Sequence, residues 1–227
     1  MSIRINKAQL LDGANGISNF IKANKRFPNY ATLTDSNNKQ QKVLKANYLD
    51  FYKRAFQWAV NHGDIFPNYG TVIGTGTSPI PQNYQDSSTT CGPTSLSMGS
   101  CGLFKYKSEA QFKAACNTTS SGTTPENLIA GAAKLGFKLT KISRNIAGVK
   151  AALNQCKPVI AHIQTKNATC LGYKGDYGHY VLIKGLSGDD HYLINDPTKG
   201  ENITCLSTIL DNATDGREIY YYSMELA

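Results

Sequence analysis

Apolar side chains recur at helical spacing in the first part of the chain. Leu44, Tyr48, Phe51, Tyr52, Ala55, Phe56 and Ala59 fall on one helix face and predict a long amphipathic segment, and Ile17, Phe20 and Ile21 mark a helical stretch ahead of it. Each segment runs into the same tetrapeptide, Phe27-Pro28-Asn29-Tyr30 and then Phe66-Pro67-Asn68-Tyr69, at a spacing of 39. The proline ends a helix and the Asn-Tyr turn redirects the chain, so the spacing reads as a helical repeat. Residues 1–72 are therefore expected to form a small all-α module. Most of its aromatic stripe belongs to a core, whereas the tyrosines beside the Pro-Asn turns, Tyr30 and Tyr69, are the candidates for surface contact with a ligand.

Residues 73–83 read as a linker, with glycine, threonine and serine giving way to Pro79 and Pro81. Beyond it the periodicity changes. Helical patterns over Ser108–Cys116, from Thr124-Pro125 to about Leu135, and over Ile146–Gln155 open on capping residues or close on Gly136. Alternating or continuous apolar runs predict strands at Phe137–Ile142, Pro158–Ile163, Gly178–Leu186, His191–Asn195 and Ile219–Ser223. Helices first and strands later, joined by hairpins, predict an α+β domain over 84–227.

Composition narrows the class. The 227 residues are 41% hydrophobic and 18% charged, enough for a buried core. No apolar run approaches the ~20 residues of a membrane span, and the basic N-terminus has no apolar stretch after it, so no signal peptide is expected. The six cysteines are widely and irregularly spaced with no CxxC, which argues against zinc or a redox pair. Reduced thiols are the expectation, not a disulfide framework. The net charge of +8 is uneven: residues 1–73 hold ten Lys and Arg against four Asp. An anionic partner, a wall polymer or a nucleic acid, is expected at the front.

The candidate chemistry centres on Gln85-Asp86-Ser87-Ser88-Thr89-Thr90-Cys91-Gly92-Pro93-Thr94-Ser95. This stretch reads as a loop delivering Cys91 to a helix start, where unpaired N–H groups favour an anion. Gln85, six residues upstream, can donate its amide to a developing oxyanion. Of the four histidines, His62 lies in the front module, His162 sits mid-strand as a core residue, and His191 follows an exposed turn. His179 opens a strand and is the favoured base. If Ser187–Asp190 is a hairpin turn, paired residue numbers sum to about 377. His179 then faces Thr198, with Asp196 two residues back on the same face, within reach of the imidazole. A slip of one residue would put Asn195 there instead.

Gln-x5-Cys-Gly-Pro, then Gly-His-Tyr-Val-Leu-Ile (178–183), then Ile-Asn-Asp-Pro (194–197) resembles the papain-like peptidases related to bacteriocin-processing proteases. It resembles more closely the pseudomurein endoisopeptidases of viruses infecting methanogenic archaea, because the Phe-Pro-Asn-Tyr segments look like pseudomurein-binding repeats. The resemblance implies a papain-like domain with a Cys91–His179–Asp196 triad and Gln85 as oxyanion donor. It further implies cleavage of the Ala–ε-Lys cross-link of the archaeal wall, aided by a divalent cation such as Ca²⁺, although no clustered carboxylates mark a metal site. The wall polymer is then the partner and nucleic acid is not. The protein, a monomer, would be made in the host cytoplasm and act on the wall after release. Tyr173 and Tyr177, in a glycine-bearing loop before His179, are expected to line the slot for the ε-linked chain. The departure is in front, where one full repeat and part of a second are visible. The alternatives are a leader peptidase cutting after Gly-Gly, which would sit beside a transporter, and a binding protein with an inert C-terminal domain.

Overall fold

The computed structural model describes residues 3–72, 78–214 and 219–227; of the expected linker, 73–77 lie outside the described residues. Two compact units result. One holds the chain up to Pro81 together with Ser100–Tyr106, and the other holds Gln82–Gly99 and Lys107–Ala227.

The first unit is a duplication of strand, helix and strand. β1 (Ile3–Asn6), α1 (Lys7–Asn24) and β2 (Tyr30–Thr34) form one copy, and β3 (Gln40–Leu44), α2 (Lys45–Asn61) and β4 (Tyr69–Val72) form the other. The copies exchange strands: β1 pairs antiparallel with β4, and β2 with β3. Equivalent bonds close the two pairings, Lys7 N–H to Asn68 O at 3.0 Å and Lys45 N–H to Asn29 O at 2.9 Å. The sequence echo thus extends well beyond Phe-Pro-Asn-Tyr. Lys7, Ala8, Leu11, Asp12 and Phe20 of α1 match Lys45, Ala46, Leu49, Asp50 and Trp58 of α2.

The expected all-α module is corrected to an α/β one by these four strands. Each has only four or five residues, and β1 and β3 bury a single side chain apiece, Ile5 and Val43. So short a run carries no readable alternation, and β1 finds its partner more than sixty positions away. The helices match expectation more closely. α2 buries Tyr48, Phe51, Tyr52, Ala55, Phe56 and Ala59. Phe104 enters this aromatic core, its ring centroid 5.0 Å from Tyr52 and 6.0 Å from Tyr48.

The second unit sets helices on an antiparallel sheet, the arrangement of a papain-like domain. α3 (Cys91–Gly102), α4 (Glu109–Ala115) and α5 (Pro125–Lys134) come first. Ser108 and Thr124 cap the last two through bonds to the N3 amides of Gln111 and Asn127. β5 (Phe137–Ile142), α6 (Ile146–Leu153), β6 (Val159–Gln164), a short 3₁₀ turn (Thr169–Leu171), β7 (Gly178–Ser187), β8 (His191–Asp196), β9 (Gly200–Leu206), α7 (Ser207–Asp211) and β10 (Tyr221–Leu226) follow. The sheet order is β5-β10-β6-β7-β8-β9.

The sheet is covered on both faces. Val159, Ala161, Ile163, Val181, Ile183 and Ile194 enter a cluster with Val149 and Ala152 of α6 and Leu210 of α7. Ile160, Leu182 and Met224 meet α3, where a Cβ on Gly99 would stand 2.9 Å from Met224 Sδ. That close approach holds the helix, and hence its first residue, against the sheet.

One cysteine expectation is overturned. Cys170, in the 3₁₀ turn, and Cys205, on β9, form a disulfide. Their separation of 35 carried no pattern, and only the folding of the turn against β9 brings their Cα atoms to 5.5 Å, within bridging range. Cys91, Cys101, Cys116 and Cys156 are not in disulfides.

Candidate active site

α3 begins at Cys91, and its first turn is bonded to the preceding loop. Thr94 returns both N–H (2.9 Å) and Oγ (2.7 Å) to the Thr90 carbonyl. The N–H groups of Cys91 and Gly92 lie ahead of the first intrahelical donor, and Pro93 has none. Gly92 is required by packing, since a Cβ there would stand 2.9 Å from Leu128 Cδ1 and 3.3 Å from Tyr180 Cδ2. The result is a thiol 9% exposed at a helix N-terminus.

The base and its partner come from the β7–β8 hairpin. Leu182 pairs with Asn195 and Ile183 with Ile194, the register read from the sequence. Nearer the turn Gly185 pairs with Leu193, and a bulge between Ile183 and Gly185 absorbs the one-residue offset. Asp196 therefore meets His179, with Nε2 3.2 Å from Oδ1. Asn195 is turned elsewhere, its Oδ1 accepting from Asn202 N at 3.3 Å. His179 lines the same cleft as Cys91, whose sulfur acts on the imidazole. Asp196 takes Nε2, which leaves Nδ1 for the sulfur.

Asp196 is fully buried and heavily bonded. Its Oδ1 accepts the N–H groups of Thr198 at 2.7 Å and Lys199 at 3.1 Å, turn chemistry that fixes the carboxylate while it serves the histidine. Burial pushes its carboxyl up, but His179, the Thr198 N–H and the Tyr173 hydroxyl outweigh that and hold it below the usual range. Burial likewise pushes the His179 imidazole down, yet the Asp196 carboxylate and the Cys91 sulfur lift it to about 9. An imidazolium held by the Asp196 carboxylate, with the Cys91 sulfur on its other side, is the state this geometry favours.

The other expected residues fall as follows. Gln85 lines the same cleft as Cys91, but its Nε2 donates to Ser87 O at 2.8 Å and its Oε1 accepts from Thr198 Oγ1 at 3.2 Å. Tyr177 lines the cleft with its ring centroid 6.5 Å from that of His179. Tyr173 is not among the lining residues. Its hydroxyl lies 3.1 Å from His179 Nε2 and within 2.9 Å of both Asp196 oxygens, a position inside the His–Asp pair that no local signal announced. Tyr30 and Tyr69, in the first unit, are 47% and 54% exposed. His162 stacks on Tyr180 with centroids 4.6 Å apart and lines the cleft, and burial, with His179 beside it, lowers its pKa to about 4. His62 stacks on Trp58, and His191 pairs with Asp190 on the surface.

The cleft has a volume of about 600 Å³ and is walled also by Ser120, Ser121, Gly122 and Thr123. Among the described residues no three His, Cys, Asp or Glu side chains gather as a metal-binding group. No described helix is long and apolar enough to cross a membrane.

A cysteine at a helix N-terminus, a histidine and an aspartate from one hairpin, and a cleft beside them define a papain-like cysteine peptidase. The chain belongs to the peptidase C39 family, whose model matches residues 80–212. Among solved structures, the peptidase domain of Streptococcus ComA, a bifunctional ABC transporter involved in a quorum-sensing pathway, aligns with a TM-score of 0.51 at 20% identity. It covers 64% of this chain and 98% of that one. A double-glycine motif protease from an AMS/PCAT transporter, in complex with its leader peptide, aligns with a TM-score of 0.48 at 22% identity, covering 65% and 94%. No curated protein matches the chain.

Proposed function

We propose that this cysteine peptidase is a viral lysin that hydrolyses the Ala–ε-Lys isopeptide cross-links of archaeal pseudomurein. The first unit holds it on the wall, which it reaches after release from the cell that makes it. One observation carries the reading: the duplicated strand–helix–Phe-Pro-Asn-Tyr–strand unit, which presents an exposed tyrosine from each copy. A cation lies over each ring, Lys42 Nζ 3.8 Å from the Tyr30 centroid and Arg4 Cζ 4.0 Å from that of Tyr69. Such paired aromatic and basic positions suit a polymer bearing carboxylates and apolar sugar faces.

The chemistry uses this chain's own groups. Cys91 Sγ attacks the scissile alanyl carbonyl carbon, and the oxygen becomes an oxyanion beside the Cys91 N–H. Gln85 Nε2 joins it there by turning away from Ser87 O. The His179 imidazolium then gives its proton to the lysine ε-nitrogen, the C–N bond breaks, and the free amine leaves. Water, deprotonated by the now neutral His179, attacks the thioester and releases the alanine carboxylate together with the Cys91 thiol. Asp196 holds the imidazole throughout.

The test is digestion of purified pseudomurein followed by mass spectrometry of the soluble products. Release of fragments ending in a free alanine carboxylate, matched by new lysine ε-amines, is the expected result. An undigested wall, with cleavage after Gly-Gly in a leader peptide, would replace this reading by the leader-peptidase one.

A further inference from the structure

The two copies of the first unit differ at one place that matters. In the second copy Arg54 lies along α2 one turn from Asp50. Its Nε donates to Asp50 Oδ2 at 3.0 Å and its Nη2 to the Thr71 carbonyl at 2.8 Å. The guanidinium so bridges helix and strand. The matching residues of the first copy are Asp12, Gly16 and Thr32. The carboxylate and the strand carbonyl are kept, and the cation is missing.

What Arg54 fills in one copy is open in the other. A groove of about 410 Å³ runs between α1 and β2, lined by Asp12, Gly16, Phe20, Tyr30 and Thr32 among others. A Cβ built on Gly16 meets nothing within 4 Å. Asp12 has no hydrogen bond or ion pair among the described residues and is exposed. The Thr32 carbonyl is directed away from β3. The bonds Lys45 N–H to Asn29 O and Asp35 N–H to Lys39 O place the ladder bonds on odd-numbered residues of β2, and Thr32 lies between them. Thr71 stands in the same alternation against β1, and its carbonyl is the one that accepts from Arg54.

We propose that the α1–β2 groove binds a cationic side chain of the lysine or arginine type, carried on a peptide, in the place that Arg54 occupies in the second copy. The ligand's N–H groups meet the Asp12 carboxylate and the Thr32 carbonyl, and its alkyl stem lies along Phe20 and Tyr30. Lys42 over Tyr30 does not exclude such a cation. The second copy already holds Arg4 over Tyr69 on the strand pair next to Arg54. This site is separate from the peptidase cleft and shares Tyr30 with the wall contact proposed above.

The test is an NMR titration of the full chain with two soluble peptides, acetyl-Gly-Arg-Gly-amide and its neutral isostere with citrulline for arginine. Millimolar binding is expected for the arginine peptide, with shifts centred on Asp12, Gly16, Tyr30 and Thr32. The citrulline peptide should bind about tenfold more weakly, as loss of a charge-assisted pair implies. Asp12→Asn, an exposed change, should weaken arginine binding by a similar factor, and Gly16→Arg should abolish it by filling the groove from within. Equal affinity for both peptides, unchanged binding in either variant, or shifts centred elsewhere would overturn the proposal, as would no binding to either peptide.

Discussion

Tyr173 donates its hydroxyl to the Asp196 carboxylate, 2.8 Å from Oδ1, while the same oxygen stands 3.1 Å from His179 Nε2. The carboxylate that orients the histidine is therefore itself held by a phenol, and this bond is one of those keeping its pKa low. Tyr173→Phe removes that bond and little volume. The expected result is a fall of about tenfold in kcat with KM nearly unchanged. The acid limb of the pH–rate profile should move to higher pH, because a carboxylate with one donor fewer protonates more readily. A simple packing role would leave that limb where it is.

Cys91→Ala and His179→Ala should each lower turnover by at least about 10⁴-fold, and the double variant should be no worse than either, because triad members act as a unit. Initial rates on a soluble peptide report this. More than a few per cent of residual activity in Cys91→Ala would remove the nucleophile from the mechanism.

The linked stability of His179 and Asp196 has a definite sign. The imidazole is raised from 6.5 to about 9, so its contribution is whole below about pH 6.5 and is lost as pH rises through 9. The carboxylate is lowered from 3.8, so its contribution is present above that value and is lost as pH falls further. His162, buried and lowered to about 4, also costs stability as pH falls below 6.5, since the unfolded state takes up a proton that the folded one does not. Urea midpoints measured from pH 4 to 10 should thus decline on the alkaline side of the maximum, and Asp196→Asn should flatten that decline. In the same way His162→Phe should flatten the acid side.

The Cys170–Cys205 bridge ties the turn that leads to Tyr173 onto β9. Opening it by Cys170→Ser with Cys205→Ser should cost on the order of 3 kcal/mol of stability for a loop of this size. The loss is read as a lower urea midpoint, with m rising because the unbridged unfolded chain exposes more surface. Strong reductant should lower the wild-type midpoint likewise, and activity should peak at a mild reductant level that keeps Cys91 free and the bridge intact.

Because the first unit includes Ser100–Tyr106, the proposed wall binding is best tested in the full chain. Tyr30→Ala with Tyr69→Ala should leave hydrolysis of a small peptide unchanged and reduce sedimentation with pseudomurein several-fold, lysis falling with it through lower local concentration. Undiminished lysis would argue against both tyrosines as wall contacts.

The peptidase half was legible because its signals are local or follow from one turn. Cys-Gly-Pro marks a helix start, and the Gly188 turn fixes which residues of β7 and β8 meet. That turn places Asp196 beside His179 despite a bulge that shifts the register nearer the turn. What escaped the sequence is what depends on distant partners. β1 pairs with β4 across the length of the first unit. β9, Gly200–Leu206, buries little beyond Gly200 and Cys205, which conceals its alternation. Cys170 meets Cys205 only after both have folded. The glycines around Tyr173 suggest a slot wall, and no pattern in the loop shows that its hydroxyl turns toward the carboxylate.

The most direct test of isopeptide hydrolysis is kcat/KM on a matched pair of synthetic peptides, identical except that alanine is joined to the lysine ε-amine in one and to its α-amine in the other. The proposed selectivity requires a slot past Tyr177 that takes the unbranched ε-linked chain and rejects the α-carbon branch by steric exclusion. The account predicts cleavage of the ε-linked peptide at least about a hundredfold faster. Equal values on both, or cleavage of the α-linked peptide alone, would contradict it.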